Sequence, residues 1–267
     1  MIGQGTWYME QDGRRNAVAA LRAGLGAGMT HLDTAEMYGS GRVEEFVGEA
    51  IVGRRDEVFL VTKVLPQNAS HQGVLRSCEA SLRRLGTDHL DVYLLHWPGR
   101  HPLQETLGAF AQLVRDGKTR FWGVSNFDLD ELEEALDIAG PHAIACNQVA
   151  YHLKERAIEH AVIPWCEAHE VAVVAYSPFG AGDFPSPRSR GGKVLEEIAA
   201  AYGVTPRQVA LAFLARRRTI FAIPKASESA HVRENAGAAA VRLDPEDLQR
   251  LDEAFPLGPR PRELPMI

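Results

Sequence analysis

Eight short apolar runs, each separated from the next by a stretch of helical spacing, constrain this chain more than any other feature of its sequence. The runs fall at 2–9, 28–33, 58–63, 90–96, 119–125, 143–147, 171–177 and 220–225. Between them apolar residues recur every three to four positions, as with Val18, Leu21 and Leu25, then Val74, Cys78, Leu82 and Leu85, and later Leu129, Leu132 and Leu136. Parallel strands need crossovers of a dozen or more residues, and a sheet built from them must be covered on both faces. Eight such units in 267 residues predict one α/β domain over 1–267, a closed (β/α)8 (TIM) barrel with its site at the C-terminal ends of the strands. An open doubly wound sheet is the alternative, but it wants a phosphate-binding glycine turn near the first strand. Gly24-Leu-Gly26-Ala-Gly28 and Gly39-Ser-Gly41 both lack that spacing and read as turn glycines.

Outside the repeating units, Thr205-Pro206 reads as the cap and first position of an extra helix running to about Arg216. The polar, Pro/Gly-rich segment 180–192 is expected to form a loop on the active-site rim, as a lid or cofactor clamp or merely as surface loop. The tail, 256–267, is expected either to cross the barrel mouth or to fray.

A formal net charge of −6 with interspersed signs gives no footprint for nucleic acid or an anionic membrane. Its one dense basic run, Arg216 to Arg218, reads as a solvated face or as partners for a helix C-terminus. Cys78, Cys146 and Cys166 are widely spaced and odd in number, which argues against a disulfide framework or a structural zinc site. With no apolar run approaching 18 residues and no secretory pattern at the start, a cytoplasmic protein is expected. A monomer is expected because no long apolar helix face is left over.

Polar residues at strand ends are the informative exceptions in such a sheet. Asp33 closes the second run, Tyr38 follows it in the loop, Lys63 ends the third and His96 the fourth. Singly, Asp33 is explained as a cap, Tyr38 as a rim plug, Lys63 as a structural cation and His96 as a core histidine. Together they bring a carboxylate, a phenol, an ammonium and an imidazole to one pocket. A lysine beside a phenol is expected to lower the phenol's pKa, and a buried carboxylate to keep the lysine charged. No metal is implied: His96 has no second histidine at ligand spacing.

At these residues the chain resembles the aldo-keto reductase family, specifically its bacterial diketogulonate-reductase-like members. HLDTAEMYGSGRVEEFVGEAI, FLVTK, LDVYLLHWP, FWGVSNF, NQVAYH, VAYSPFG and IPKASESAHVREN match that family's segments in order and span nearly the whole chain. The resemblance implies hydride transfer from a reduced nicotinamide to a small aldehyde or ketone. Tyr38 is then the general acid/base, Lys63 and Asp33 its ion-paired support, and His96 the residue orienting the carbonyl. It assigns Ser125, Asn126 and Gln148 to the nicotinamide amide, Tyr176 to stacking on the ring, and Ser177 to the same cofactor. Lys225 and Ser227 are assigned to the adenosine 2′-phosphate and Asn235 to the adenine. Trp7 and Trp97 are expected at the substrate end.

Where many NADPH-preferring members carry an arginine, this chain has His231, with Arg233 nearby. Histidine offers a weaker, pH-dependent charge, so NADPH/NADP+ is expected with some use of NADH. The brief 98–103 loop and short tail predict an open pocket with weak substrate selection. Two rivals stand beside this reading: a Schiff-base, aldolase-like enzyme using Lys63, and a non-catalytic NADPH-binding sensor or partner subunit.

Overall fold

Strand and helix alternate along the chain as the periodicity predicts. The structure is a computed structural model that describes residues 1–266. It contains β1 (Gln4–Gly5), α1 (Arg14–Gly26), β2 (His31–Asp33), α2 (Arg42–Ala50), β3 (Phe59–Val64), α3 (His71–Leu85), β4 (Leu90–Leu95) and α4 (Leu103–Arg115). There follow β5 (Thr119–Ser125), α5 (Leu129–Ala139), β6 (Cys146–Ala150), α6 (Val162–Ala168), β7 (Ala172–Tyr176), α7 (Arg190–Tyr202), α8 (Pro206–Leu214) and β8 (Ile220–Ala222). Two further helices, α9 (Ser229–Gly237) and α10 (Pro245–Ala254), complete the order.

The eight strands form one sheet in sequence order, every neighbouring pair parallel. Parallel bridges Ile2↔Ala222 and Gly5↔Lys225 join its first and last strands, closing the (β/α)8 barrel. At that seam Gly3 N donates to Ala222 O at 2.8 Å and Gly5 N to Pro224 O at 3.2 Å. No side chain fits at Gly5, because a Cβ there would lie 2.6 Å from the Ile223 carbonyl oxygen.

Three strands are at most half as long as the apolar runs that announced them, β8 keeping only Ile220–Ala222 of 220–225. The first run, 2–9, yields only Gln4–Gly5 because Tyr8 turns left-handed at φ 61° and Met9–Gln11 wind into a 3-10 turn. In the second, Gly28 takes φ 84° to end the preceding helix, so the strand starts at His31. The extra helix is capped as expected: Thr205 Oγ1 accepts from Gln208 N while the Gln208 side chain accepts from Thr205 N. Helix α10 was not anticipated, although Asp244-Pro245 carries the cap-and-proline signature for it. Segment 180–192 is a loop only as far as Ser189, which caps α7.

Arg216 stacks on Phe213 and donates to the Phe213 carbonyl at 2.8 Å, and Arg217 pairs with Glu167, so the basic run serves local packing. All three cysteines are buried and unpaired, their thiols pushed up to about 12 mainly by burial. Among the described residues no helix is long and apolar enough to cross a membrane.

Candidate active site

Side chains two positions apart on a strand share a face. Val61, Val92, Leu94, Cys146, Val174 and Ile223 make an apolar cluster separate from the helix-packed core, and it fills the barrel interior. One step further toward the strands' C-terminal ends, the same faces carry Lys63, His96, Gln148, Tyr176 and Lys225. Sequence period therefore delivers five of the polar candidates to one barrel mouth.

Asp33 and Lys63 lie at the floor, 1% and 0% exposed. Lys63 Nζ donates to Asp33 Oδ1 at 2.5 Å and to the Thr34 carbonyl at 2.8 Å. The other carboxylate oxygen, Oδ2, accepts from Gln148 Nε2 at 2.7 Å, and Thr6 Oγ1 donates to the Asp33 carbonyl at 2.9 Å. Burial alone would lower the Lys63 pKa, but the charge of Asp33 and the hydrogen bonds of Asp33 and Tyr38 outweigh it and the ammonium is held above its ordinary value.

Tyr38 sits on the 3-10 turn Tyr38–Gly41, its ring centroid 5.2 Å from Lys63 Nζ. Its phenol is raised above its usual range: burial exceeds the opposing pull of Lys63. This reverses the direction expected from sequence, where the lysine was visible and the depth of burial was not. His96 meets the Tyr38 ring edge-on, with centroids 5.8 Å apart. Burial, then Lys63, push its imidazole down to about 2, so the ring is neutral. Its Nδ1 is buried with no hydrogen-bond partner among the described residues.

Across the mouth the remaining amides and hydroxyls are tied to one another. Tyr176 OH donates to Asn126 Oδ1 at 2.9 Å, while Asn126 Nδ2 donates to the His96 carbonyl at 3.1 Å and to Ser125 Oγ at 3.2 Å. Ser125 Oγ donates to the Gln148 carbonyl at 2.8 Å. Asn126 and Ser177 both hold positive φ, 60° and 48°, where the chain turns sharply off β5 and β7. Gln148 thus gives its amide N–H to Asp33, a pairing between residues 115 apart that sequence reading missed.

A cavity of about 790 Å³ runs from Trp7, Tyr38, His96 and Trp97 past Ser125, Asn126, Gln148, Tyr176 and Ser177 to Lys225. Met266 also lines it, so the tail reaches the mouth. Arg207, on α8, enters the lining as well, and its guanidinium lies 5.0 Å from the Phe179 ring, just before the rim loop, and 4.9 Å from the Phe184 ring within it. It has no carboxylate partner among the described residues. Nothing in the sequence pointed to it, because an arginine beside a capping proline looks like ordinary helix surface. At the far end Lys225 Nζ pairs with Asp12 Oδ2 at 2.6 Å, and Ser227 Oγ donates to the same oxygen at 2.5 Å. Of the α9 candidates, His231 and Arg233 are exposed, Asn235 is buried, and none of the three lines the cavity.

The family model for the Aldo/keto reductase family matches residues 1–255. The chain belongs to the aldo/keto reductase family. This aldo/keto reductase is 46% identical to methylglyoxal reductase YeaE of Escherichia coli (strain K12), over all of its own length and 94% of that protein's. It is 31% identical to a glyoxal reductase of Bacillus subtilis (strain 168), covering 98% of this chain and 92% of the relative. Among solved structures, an aldo-keto reductase from Klebsiella pneumoniae in complex with NADPH superposes with a TM-score of 0.94 at 46% identity, covering 100% of this chain and 94% of that one.

Proposed function

We propose that this aldo/keto reductase reduces small aldehydes or ketones to alcohols with NADPH as hydride donor, Tyr38 giving the carbonyl oxygen its proton. One observation carries the reading: the buried Asp33–Lys63 pair lies under Tyr38, with a neutral His96 edge-on to it, at the floor of a large cavity.

The residues present fit a nicotinamide dinucleotide. Lys225 and Ser227 already converge on a single anionic oxygen, and Arg207, Tyr176 and the tied amides line the same cavity as Tyr38 and His96. Ser125, Asn126, Gln148, Tyr176 and Ser177 would hold the nicotinamide end, Arg207 the diphosphate, Lys225 and Ser227 the 2′-phosphate. His231, Arg233 and Asn235, on α9, would meet only the outer, adenine end. When bound, the reduced nicotinamide supplies a hydride to the carbonyl carbon.

This chain's own residues do the rest. A raised phenol keeps its proton at neutral pH, so Tyr38 is loaded as an acid. As the proton leaves, Lys63 stabilises the phenolate, and Asp33 keeps that lysine charged and in place. His96 is not protonated at neutral pH and cannot compete as the acid; it orients the carbonyl through its neutral ring. Trp7 and Trp97 flank the apolar body of the substrate. A protonated Lys63, held by a carboxylate and a carbonyl, is the wrong state for a Schiff-base nucleophile, which disfavours aldolase chemistry.

The reading includes a monomer acting in the cytoplasm on a small molecule; three buried free thiols suit a reducing compartment. Its test is NADPH oxidation against small aldehydes, ketones, keto-sugars and dicarbonyls, methylglyoxal first, with Tyr38→Phe as control. The variant should lose about 10²- to 10⁴-fold in kcat while still binding NADPH. Full activity in the variant removes Tyr38 as the proton donor, and no turnover across the panel favours a nucleotide-binding role without catalysis.

A further inference from the structure

The donors assigned above to a phosphate already hold an anion of the chain's own. Lys225 Nζ at 2.6 Å and Ser227 Oγ at 2.5 Å meet on one oxygen of Asp12, which lies 215 residues before Ser227 in sequence. That carboxylate is placed by backbone. Asp12 follows the 3-10 turn Met9–Gln11 and its N–H donates to the Met9 carbonyl at 3.1 Å. Its own carbonyl accepts from Asn16 Nδ2 at 3.2 Å, and Gly13, at φ 78°, then turns the chain into α1. The pair is reachable from the cavity: Lys225 lines it, and the two side chains are 33% and 24% exposed.

We propose that Asp12 sets the cofactor preference of this enzyme, as a resident anion that a ribose 2′-phosphate must displace from Lys225 and Ser227 and a ribose 2′-hydroxyl need not. The inference rests on the reading of Lys225 and Ser227 as the 2′-phosphate anchor. A phosphate monoester brings close to two negative charges at neutral pH, so it and Asp12 repel each other if both stay. To admit it, Asp12 must give up two charge-assisted contacts. A 2′-hydroxyl, by contrast, is a hydrogen-bond donor that a carboxylate accepts, the logic by which an acidic residue favours NAD over NADP elsewhere. Asp12 therefore weakens NADPH binding and leaves NADH binding untouched or improved. The use of NADH expected from the sequence would then have a source at Lys225, which lines the cavity, separate from the His231 position on exposed α9.

The experiment measures dissociation constants by quenching of tryptophan fluorescence for wild type, Asp12→Asn, Asp12→Ser and Lys225→Met. The probes are NADPH and NADH, and then adenosine 2′,5′-bisphosphate and AMP, which differ only in the 2′-phosphate. Both Asp12 variants should bind NADPH and the bisphosphate about 3- to 10-fold more tightly, with NADH and AMP changed less than about 2-fold or weakened. The gain should shrink in 0.5 M salt, where charge repulsion is screened. Unfolding midpoints near the wild-type value identify the variants as folded, and Asp12→Ser covers the case in which asparagine keeps the contacts of the carboxylate. Unchanged or weaker bisphosphate binding in both Asp12 variants, with Lys225→Met still losing it, overturns the proposal and makes Asp12 a residue that positions Lys225. Wild-type bisphosphate binding in Lys225→Met removes the phosphate anchor itself, and the proposal with it.

Discussion

Asp33→Asn takes one charge from the most buried part of the site while leaving its shape nearly unchanged. Lys63 Nζ would keep the Thr34 carbonyl, at 2.8 Å, and the Tyr38 hydroxyl, but no charged acceptor. The substituted amide also has one acceptor oxygen where the Asp33 carboxylate has two, so either Lys63 or Gln148 would face an N–H until Gln148 reoriented. Leaving one member of a buried ion pair unpaired costs about 3–5 kcal/mol. At about 2–4 °C per kcal/mol for a chain of this size, Tm should fall by about 6–20 °C at pH 7.

The pH dependence separates this account from simple misfitting. In the wild type the folded Lys63 pKa is raised, so its contribution is present below the unfolded value of about 10.4 and lost only above it. Without Asp33, burial dominates and the folded pKa drops below the unfolded one. The variant then regains stability as pH rises from 7 toward 10, while the wild type stays level. Thermal unfolding followed by circular dichroism across that range should show a gap that is widest at pH 7 and narrows upward. A gap independent of pH, or a variant within about 2 °C of wild type at pH 7, would refute the argument that Asp33 holds Lys63 charged.

Two further outcomes follow from the same structure. Folded His96, pushed down to about 2 first by burial and then by Lys63, stays neutral where the unfolded chain takes up a proton near 6.5. The stability this represents is present above pH 6.5 and falls by about 2 kcal/mol by pH 5. Urea titrations at pH 7 and 5 should show His96→Asn losing less than wild type, with His31, also buried and lowered, keeping part of the slope. An identical slope in both proteins would mean that His96 is not held neutral. At the barrel seam, Gly5→Ala sets a methyl against the Ile223 carbonyl oxygen and should cost about 1–3 kcal/mol, whereas Gly26→Ala, with nothing within 4 Å, should not destabilise. Equal unfolding midpoints for the two variants would contradict the close approach at Gly5.

What the sequence made legible was what period and strand length encode. The strand-end places of Asp33, Lys63 and His96 could be read from the runs, whereas Gln148, expected just after a run ending at 147, sits inside β6, two positions on from Cys146. The local turns were less readable. The left-handed Tyr8 and the 3-10 turn after it cut short a run that looks like strand throughout. Contacts between distant segments were not readable at all. Gln148 to Asp33 and Asp12 to Ser227 depend on how the barrel brings together chain segments 115 and 215 residues apart. The direction of the Tyr38 shift went the same way, since the lysine that lowers it shows in sequence and the burial that raises it does not.

The barrel mouth is made from two kinds of chain. Asp33, Lys63 and Gln148 are fixed by strand register, and a slip of one residue would turn each to the opposite face. Trp7, Trp97, Phe179 and Met266 reach the same cavity from connections and the tail, which tolerate exchange and changes of length. On such a scaffold new compounds can be admitted by rewriting the rim alone, while the floor proposed to deliver the proton stays set by the strands.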